Sequence, residues 1–220
     1  MCSSVPVFPS ILHSPVIGQS VIDRPVIGRV ATGFPALDAV LDGGWPIGML
    51  TELLVPEQGS GELGLLSPAL ARLTTTTNEI LAGTGSRVML ISPPWIPYAP
   101  GLRWQGIALD RVLTISVRRL PEILWAMEET LLSGTCAGVI AWAGTTGMHR
   151  PRHTHLQRLH LLAGKQQAWA VLVRVVRCRQ ERSPARLRLQ LHCSSPTTLQ
   201  LDIFKNGWRN TATVTVERRF

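Results

Sequence analysis

Residues 56–63 of this 220-residue chain read Pro-Glu-Gln-Gly-Ser-Gly-Glu-Leu and follow directly on an apolar run of strand length. Their position and glycines invite comparison with the phosphate loop G-x-x-x-x-G-K-[ST]. Such a loop needs donor amides, a cation on the β/γ phosphates and a hydroxyl on Mg²⁺. Aligning Gly61 with the second glycine puts Pro56 at the first, keeps Gly59 inside the loop, and places Glu62 at the lysine and Leu63 at the hydroxyl. Cation and hydroxyl are both gone, and the glutamate would face a polyanion with nothing positive between them. The sequence therefore predicts a loop that holds no nucleotide, with no catalytic residue and no cofactor.

The second chemical feature is charge. Residues 1–140 hold 8 Lys/Arg against 11 Asp/Glu, a net −3, whereas residues 141–220 hold 14 against 3, a net +11. Arg174, Arg177, Arg179, Arg182, Arg186 and Arg188 fall within fifteen residues. Such a cluster suits phosphates or an acidic partner, and it equally suits a solvated hairpin with alternating arginines. His149, His153 and His155 lie together with Arg150 and Arg152. No carboxylate or thiol accompanies the histidines there, which favours solvated or phosphate-facing imidazoles over a metal site. Cys2, Cys136, Cys178 and Cys193 form no C-x-x-C pair and read as reduced, packed thiols.

These residues need a scaffold. A 45% hydrophobic chain with mean hydropathy +0.17 can bury a sizeable core. No apolar stretch approaches the roughly eighteen residues of a membrane helix, and the N-terminus lacks signal-peptide character, so a soluble, cytoplasmic protein is expected. Residues 1–28, rich in Pro and Ser with Pro-Val-Ile-Gly at 15–18 and again at 25–28, read as a flexible arm before a single domain at 29–220. Within that domain, strands are expected at 50–55, 87–92, 112–116, 137–142 and 169–176, all apolar on both faces as buried parallel strands are. A helix is expected at 121–133, with Pro121 in its first turn and Gly134 just past its end. The period-two runs at 186–192, 198–204 and 212–216 read as antiparallel strands that extend the sheet. A helix should also begin near Gly61, kinked or starting late because of Pro68 and the threonines at 74–77.

Residues 32–48, Thr-Gly-Phe-Pro-Ala-Leu-Asp-Ala-Val-Leu-Asp-Gly-Gly-Trp-Pro-Ile-Gly, followed by the run at 49–55, resemble the start of a RecA core. There a short T-G-x-x-x-L-D helix, a glycine-rich turn and the first strand lead into the phosphate loop. The resemblance implies an α/β, RecA-like P-loop core: a mainly parallel central sheet flanked by helices, with antiparallel strands at the C-terminal edge. RecA-like enzymes place a catalytic carboxylate after the second strand and a metal-binding Asp after the Walker B strand. Here no carboxylate follows the second strand before Asp110, and Trp142 or Ala143 stands at the Walker B position.

From about residue 30 onward the chain resembles the ImuA family, RecA-like accessory proteins of bacterial mutagenesis cassettes. The resemblance rests on T-G-F-P-A-L-D, G-G-W-P-x-G-x-L-T-E-L-L, the G-x-G-E-L loop at 59–63, R-R-L-x-E-x-L-W-A-x-E within 113–142, and P-A-R-L-R-L at 184–189. It implies a non-catalytic adaptor in SOS-induced, error-prone translesion synthesis. The implied partners are an inactive Y-family polymerase homologue of the ImuB type and an error-prone C-family polymerase, with DNA, RecA and self-association as further candidates. It also implies DNA-facing loops at 145–155 and 178–185, which carry Arg150, Arg152, Arg179 and Arg182 and adjoin Arg177, Arg186 and Arg188. The stretch 103–142 is similar to SulA-type cell-division inhibitors that act on FtsZ, which is the alternative, and an atypical RecA-like ATPase is the third. Of seven tryptophans, Trp45, Trp95, Trp104 and Trp142 fall at element ends, where core packing is expected. Trp95 and Trp142 should fill the vacated nucleotide site or anchor a partner there, with filling the first expectation.

Overall fold

The structure is a computed structural model, which describes residues 28–75, 87–143, 150–193, 195 and 197–217. In chain order the elements are β1 (Arg29–Val30), α1 (Pro35–Val40), β2 (Trp45–Pro46), β3 (Met49–Val55), α2 (Glu62–Thr75), β4 (Arg87–Ile91) and α3 (Ala99–Trp104). They continue as β5 (Val112–Ile115), α4 (Leu120–Ser133), β6 (Cys136–Trp142), α5 (His153–Gln166), β7 (Trp169–Val175), β8 (Leu187–Cys193), β9 (Thr198–Asn206) and β10 (Ala212–Glu217). Eight strands form one sheet in the order β10-β9-β8-β3-β7-β6-β4-β5. From β8 to β5 all neighbours are parallel, and β8, β9 and β10 pair antiparallel. The fold is thus mixed α/β, a mainly parallel sheet flanked by helices with antiparallel strands at one edge.

Crossover direction decides which helix covers which face. The chain steps outward from β3 to β4 and β5 and then back through β6 and β7. Right-handed crossovers run in opposite senses must lie on opposite faces. Accordingly Leu65, Leu66, Leu70 and Leu73 of α2 pack with Leu53, Val55, Val171 and Val173 on one face. Ile123, Met127 and Leu131 of α4 and Leu156, Leu159 and Ala163 of α5 pack with Leu50, Val139 and Leu172 on the other.

The helix at 120–133 follows the sequence expectation. Pro121 lies in its first turn, Glu122 reaches back to the Arg119 N–H at 3.2 Å, and Gly134 caps it at φ +64°. The helix after Gly61 does not start late: α2 begins at Glu62 and carries Pro68 inside it. An internal proline costs about 3 kcal/mol, but four fully buried leucines contribute roughly 1.5–3 kcal/mol each. The hydroxyls of Thr74 and Thr75 bond back to the Leu70 and Ala71 carbonyls, so both residues are accommodated within the helix.

Two further expectations need correction. The strands are not uniformly apolar: β5 is an outer edge with Leu113 and Thr114 exposed, while β3 and β7 carry buried Glu52 and Arg174. Residues 153–155, read as part of a loop, form the first turn of α5.

A histidine links α5 to the central strand. The Leu50 N–H donates to His160 Nδ1 at 3.2 Å, which requires a neutral imidazole. Burial, with the charges of Arg186 and Lys205, holds His160 below the ordinary 6.5. The unfolded chain therefore takes up this proton first, and the histidine's contribution is complete above pH 6.5 and is lost as pH falls through the lower folded value. The expected result is a melting temperature that drops from pH 7.5 to 5.5 more steeply in wild type than in His160→Gln. Parallel slopes would contradict this role.

Candidate functional site

The loop at 56–61 leaves the carboxyl end of β3 and turns into α2 at Glu62, with Gly59 at φ +86° and Gly61 at φ +106°. Glu62 is 1% exposed. Its Oε1 accepts the Gly59 backbone N–H at 2.8 Å and the Trp142 indole N–H at 3.0 Å. A loop amide and a helix N-terminus, the groups that would draw a phosphate, are turned onto the chain's own carboxylate. Its Oε2 is buried and has no hydrogen-bond partner among the described residues. Trp142 and Ala143, at the end of β6, are both buried, and the Trp142 indole is committed to Glu62.

Beside this carboxylate lies a cavity of about 250 Å³, walled by Gly59, Glu62, Pro93, Trp95, Tyr98 and Trp142. It opens beyond the carboxyl ends of β3, β4 and β6. The connections from β4 and β6 leave toward opposite faces there, which makes it the switch point of the sheet. A second cavity of about 240 Å³ flanks the same loop, between Phe34, Gly61, Leu63, Leu102 and Leu199. The wall at 93–98 is aimed by Ser92, which sits at φ +52°. Its Oγ donates to the Val117 carbonyl at 2.7 Å and accepts the Val117 N–H at 3.1 Å. Sequence reasoning passed over Ser92, and a polar residue ending an apolar strand before two prolines was the signal available.

The expectation that two tryptophans fill the vacated site is half corrected. Trp142 is buried against Glu62, but Trp95 is 76% exposed and stands at the cavity mouth, with its indole close over Gly59. Trp45 and Trp169 are core residues, whereas Trp104 is exposed.

The arginine cluster divides in two. Glu52, fully buried in β3, receives Arg174 Nη1 at 3.1 Å and Arg188 Nε at 2.5 Å. Arg174 also pairs with Glu181. Burial opposes the Arg174 charge, but Glu52, Cys178 and Glu181 outweigh it and raise the guanidinium above its ordinary value. Arg188 spends its remaining donors on the carbonyls of Cys178, Glu181 and Arg179 at 2.9, 3.1 and 3.2 Å. Arg179 bonds Gln190 at 2.6 Å and Asp202 at 2.7 Å and stacks on Phe204. The residues 176–186 are thereby clamped against the sheet by ion pairs.

Arg188, expected to face nucleic acid or a partner, is buried and fastens the sheet instead, while Arg179, expected there too, is half-buried and bonded to Gln190 and Asp202. The alternation of Arg186 and Arg188 with leucines could not show that Glu52, 136 positions away, would meet Arg188. Arg150, Arg152, Arg177, Arg182 and Arg186 are exposed and remain available. Arg150, 3.3 Å from Glu181, joins the surface group to the buried network.

His153 and His155 are exposed on α5, and His149 lies outside the described residues. Among the described residues no group of three or more His, Cys, Asp or Glu is placed to hold a metal ion, and no helix is long and apolar enough to cross a membrane. Burial raises the thiols of Cys136 and Cys178 above their ordinary value; Cys193, expected to be packed, is exposed. No protein-family model matches the chain, and no curated protein matches it.

Proposed function

We propose that the chain is a RecA-like adaptor of the ImuA kind, without nucleotide hydrolysis, acting in the cytoplasm in SOS-induced, error-prone translesion synthesis. The observation that carries this reading is Glu62: its carboxylate takes the loop amide that an active site would leave for phosphate, and it bonds the Trp142 indole that stands where a metal-binding Asp is expected. Substitution of the lysine alone would leave an empty loop. Here the replacement is built into a hydrogen-bonded, buried unit, and the space beside it is lined by prolines and aromatics. Such a site suits polypeptide docking better than phosphate chemistry. The mainly parallel sheet with an antiparallel edge also suits the resemblance to RecA.

The partners in this reading are an inactive Y-family polymerase homologue and an error-prone C-family polymerase, with RecA and a second copy of the chain as further candidates. DNA is met by Arg150, Arg152, Arg177, Arg182 and Arg186, which are exposed. Capture of the tagged chain from bacteria exposed to a DNA-damaging agent tests the adaptor role. Recovery of a polymerase homologue without added nucleotide is expected. A capture in which polymerases are absent but FtsZ is present would overturn the role in favour of cell-division control.

A further inference from the structure

The geometry points to the cavity beside Glu62 as a receptor for a basic side chain, arginine or lysine, carried by a partner polypeptide with apolar neighbours. It rests on the reading that the loop holds no nucleotide, and it gives that site a ligand of the opposite charge.

Four observations meet here. Glu62 lines the cavity, and its Oε2 is a buried acceptor that no described residue satisfies. A buried carboxylate oxygen calls for a donor, and a cationic donor meets both the hydrogen bond and the charge. Residues 56–63 carry two glutamates and no Lys or Arg, and residues 92–98 carry no charge, so neither wall supplies that cation. The walls themselves are Pro93, Ile96, Tyr98 and the indoles of Trp95 and Trp142. Aromatic faces attract guanidinium and ammonium groups, and apolar walls accept the methylene stem behind them.

Size and rim narrow the ligand. At about 250 Å³ the cavity is smaller than the roughly 300–1,000 Å³ of pockets for drug-sized ligands, which suits one side chain and not a nucleotide. Around its mouth Trp95, Ile96 and Tyr98 are 76%, 95% and 73% exposed and form an apolar collar. A free small cation would leave that collar in water, whereas apolar residues flanking a basic side chain would cover it.

The test uses the full chain, labelled with ¹⁵N, and two acetylated five-residue peptides. One carries arginine between leucines, and the other carries citrulline, its uncharged analogue, at the same position. The arginine peptide is expected to shift the indole resonances of Trp95 and Trp142 and to bind at least about ten-fold more tightly than the citrulline peptide, since a charge-assisted bond is formed. Glu62→Gln should erase that preference. Trp95→Ala, at an exposed position without a core role, should weaken both peptides while leaving the melting temperature unchanged, and it keeps the test decisive if Glu62→Gln fails to fold. Equal binding of the two peptides, no shift with either, or butylguanidinium binding as tightly as the arginine peptide would each overturn the inference. Titrating MgATP into the same sample separates the two readings. ATP binding at the loop would remove the premise, and absence of both ATP and peptide binding would remove this inference alone.

Discussion

Glu52→Ala is expected to destabilise the fold by about 3–5 kcal/mol, the loss typical when one partner is removed from a buried ion pair. Two arginines, 2% and 5% exposed, converge on this one fully buried carboxylate from β7 and β8. Without it Arg174 keeps Glu181 as its carboxylate partner, and Arg188 keeps backbone carbonyls and the Phe204 ring but no carboxylate. Domains of this size are stable by roughly 5–15 kcal/mol, so the variant should sit near the edge of folding. Urea unfolding would show the midpoint falling sharply in Glu52→Ala, while exposed Arg177→Ala should stay within about 0.5 kcal/mol of wild type. A Glu52→Ala midpoint within that same margin would contradict the role of the buried network.

The second large effect separates binding arginines from structural ones. Replacing Arg150, Arg152, Arg177, Arg182 and Arg186 together by alanine should remove most single-stranded DNA binding. If each neutralises one phosphate, the slope of log K against log salt should flatten by roughly 3.5, at about 0.7 per contact. The melting temperature should change little, because these side chains are exposed. Arg188→Ala should do the reverse, lowering stability through Glu52 with little direct effect on the salt slope. An unchanged slope in the five-fold variant would take the basic face off DNA and leave it to an acidic protein partner.

The loop after β3 was legible in the sequence, because it is local and each of its residues can be compared with a fixed position of the phosphate-loop pattern. Residues 62, 63, 142 and 143 could be read one by one. Strand positions were legible for a similar reason, since β6 and β7 are nearly continuous apolar runs. The start of α5 was not, because histidines and arginines at its solvent face hide the apolar spacing Leu156, Leu159, Ala163. Least legible was the pairing of side chains distant in sequence. Nothing in the alternation of Arg186, Leu187 and Arg188 distinguishes the exposed arginine from the buried one. Only the parallel pairing of β8 with β3, which sets Arg188 beside Glu52, does that. The Trp142 bond to Glu62 was hidden in the same way, by eighty residues of intervening chain.

The most direct test of the account is calorimetric titration of MgATP into the wild-type protein, followed by a turnover assay on the same sample. With Glu62 holding the Gly59 amide and the Trp142 indole, no binding heat and no phosphate release are expected at millimolar nucleotide. Saturable ATP binding or turnover by wild type, left unchanged by Glu62→Lys, would contradict this and make the chain an atypical ATPase.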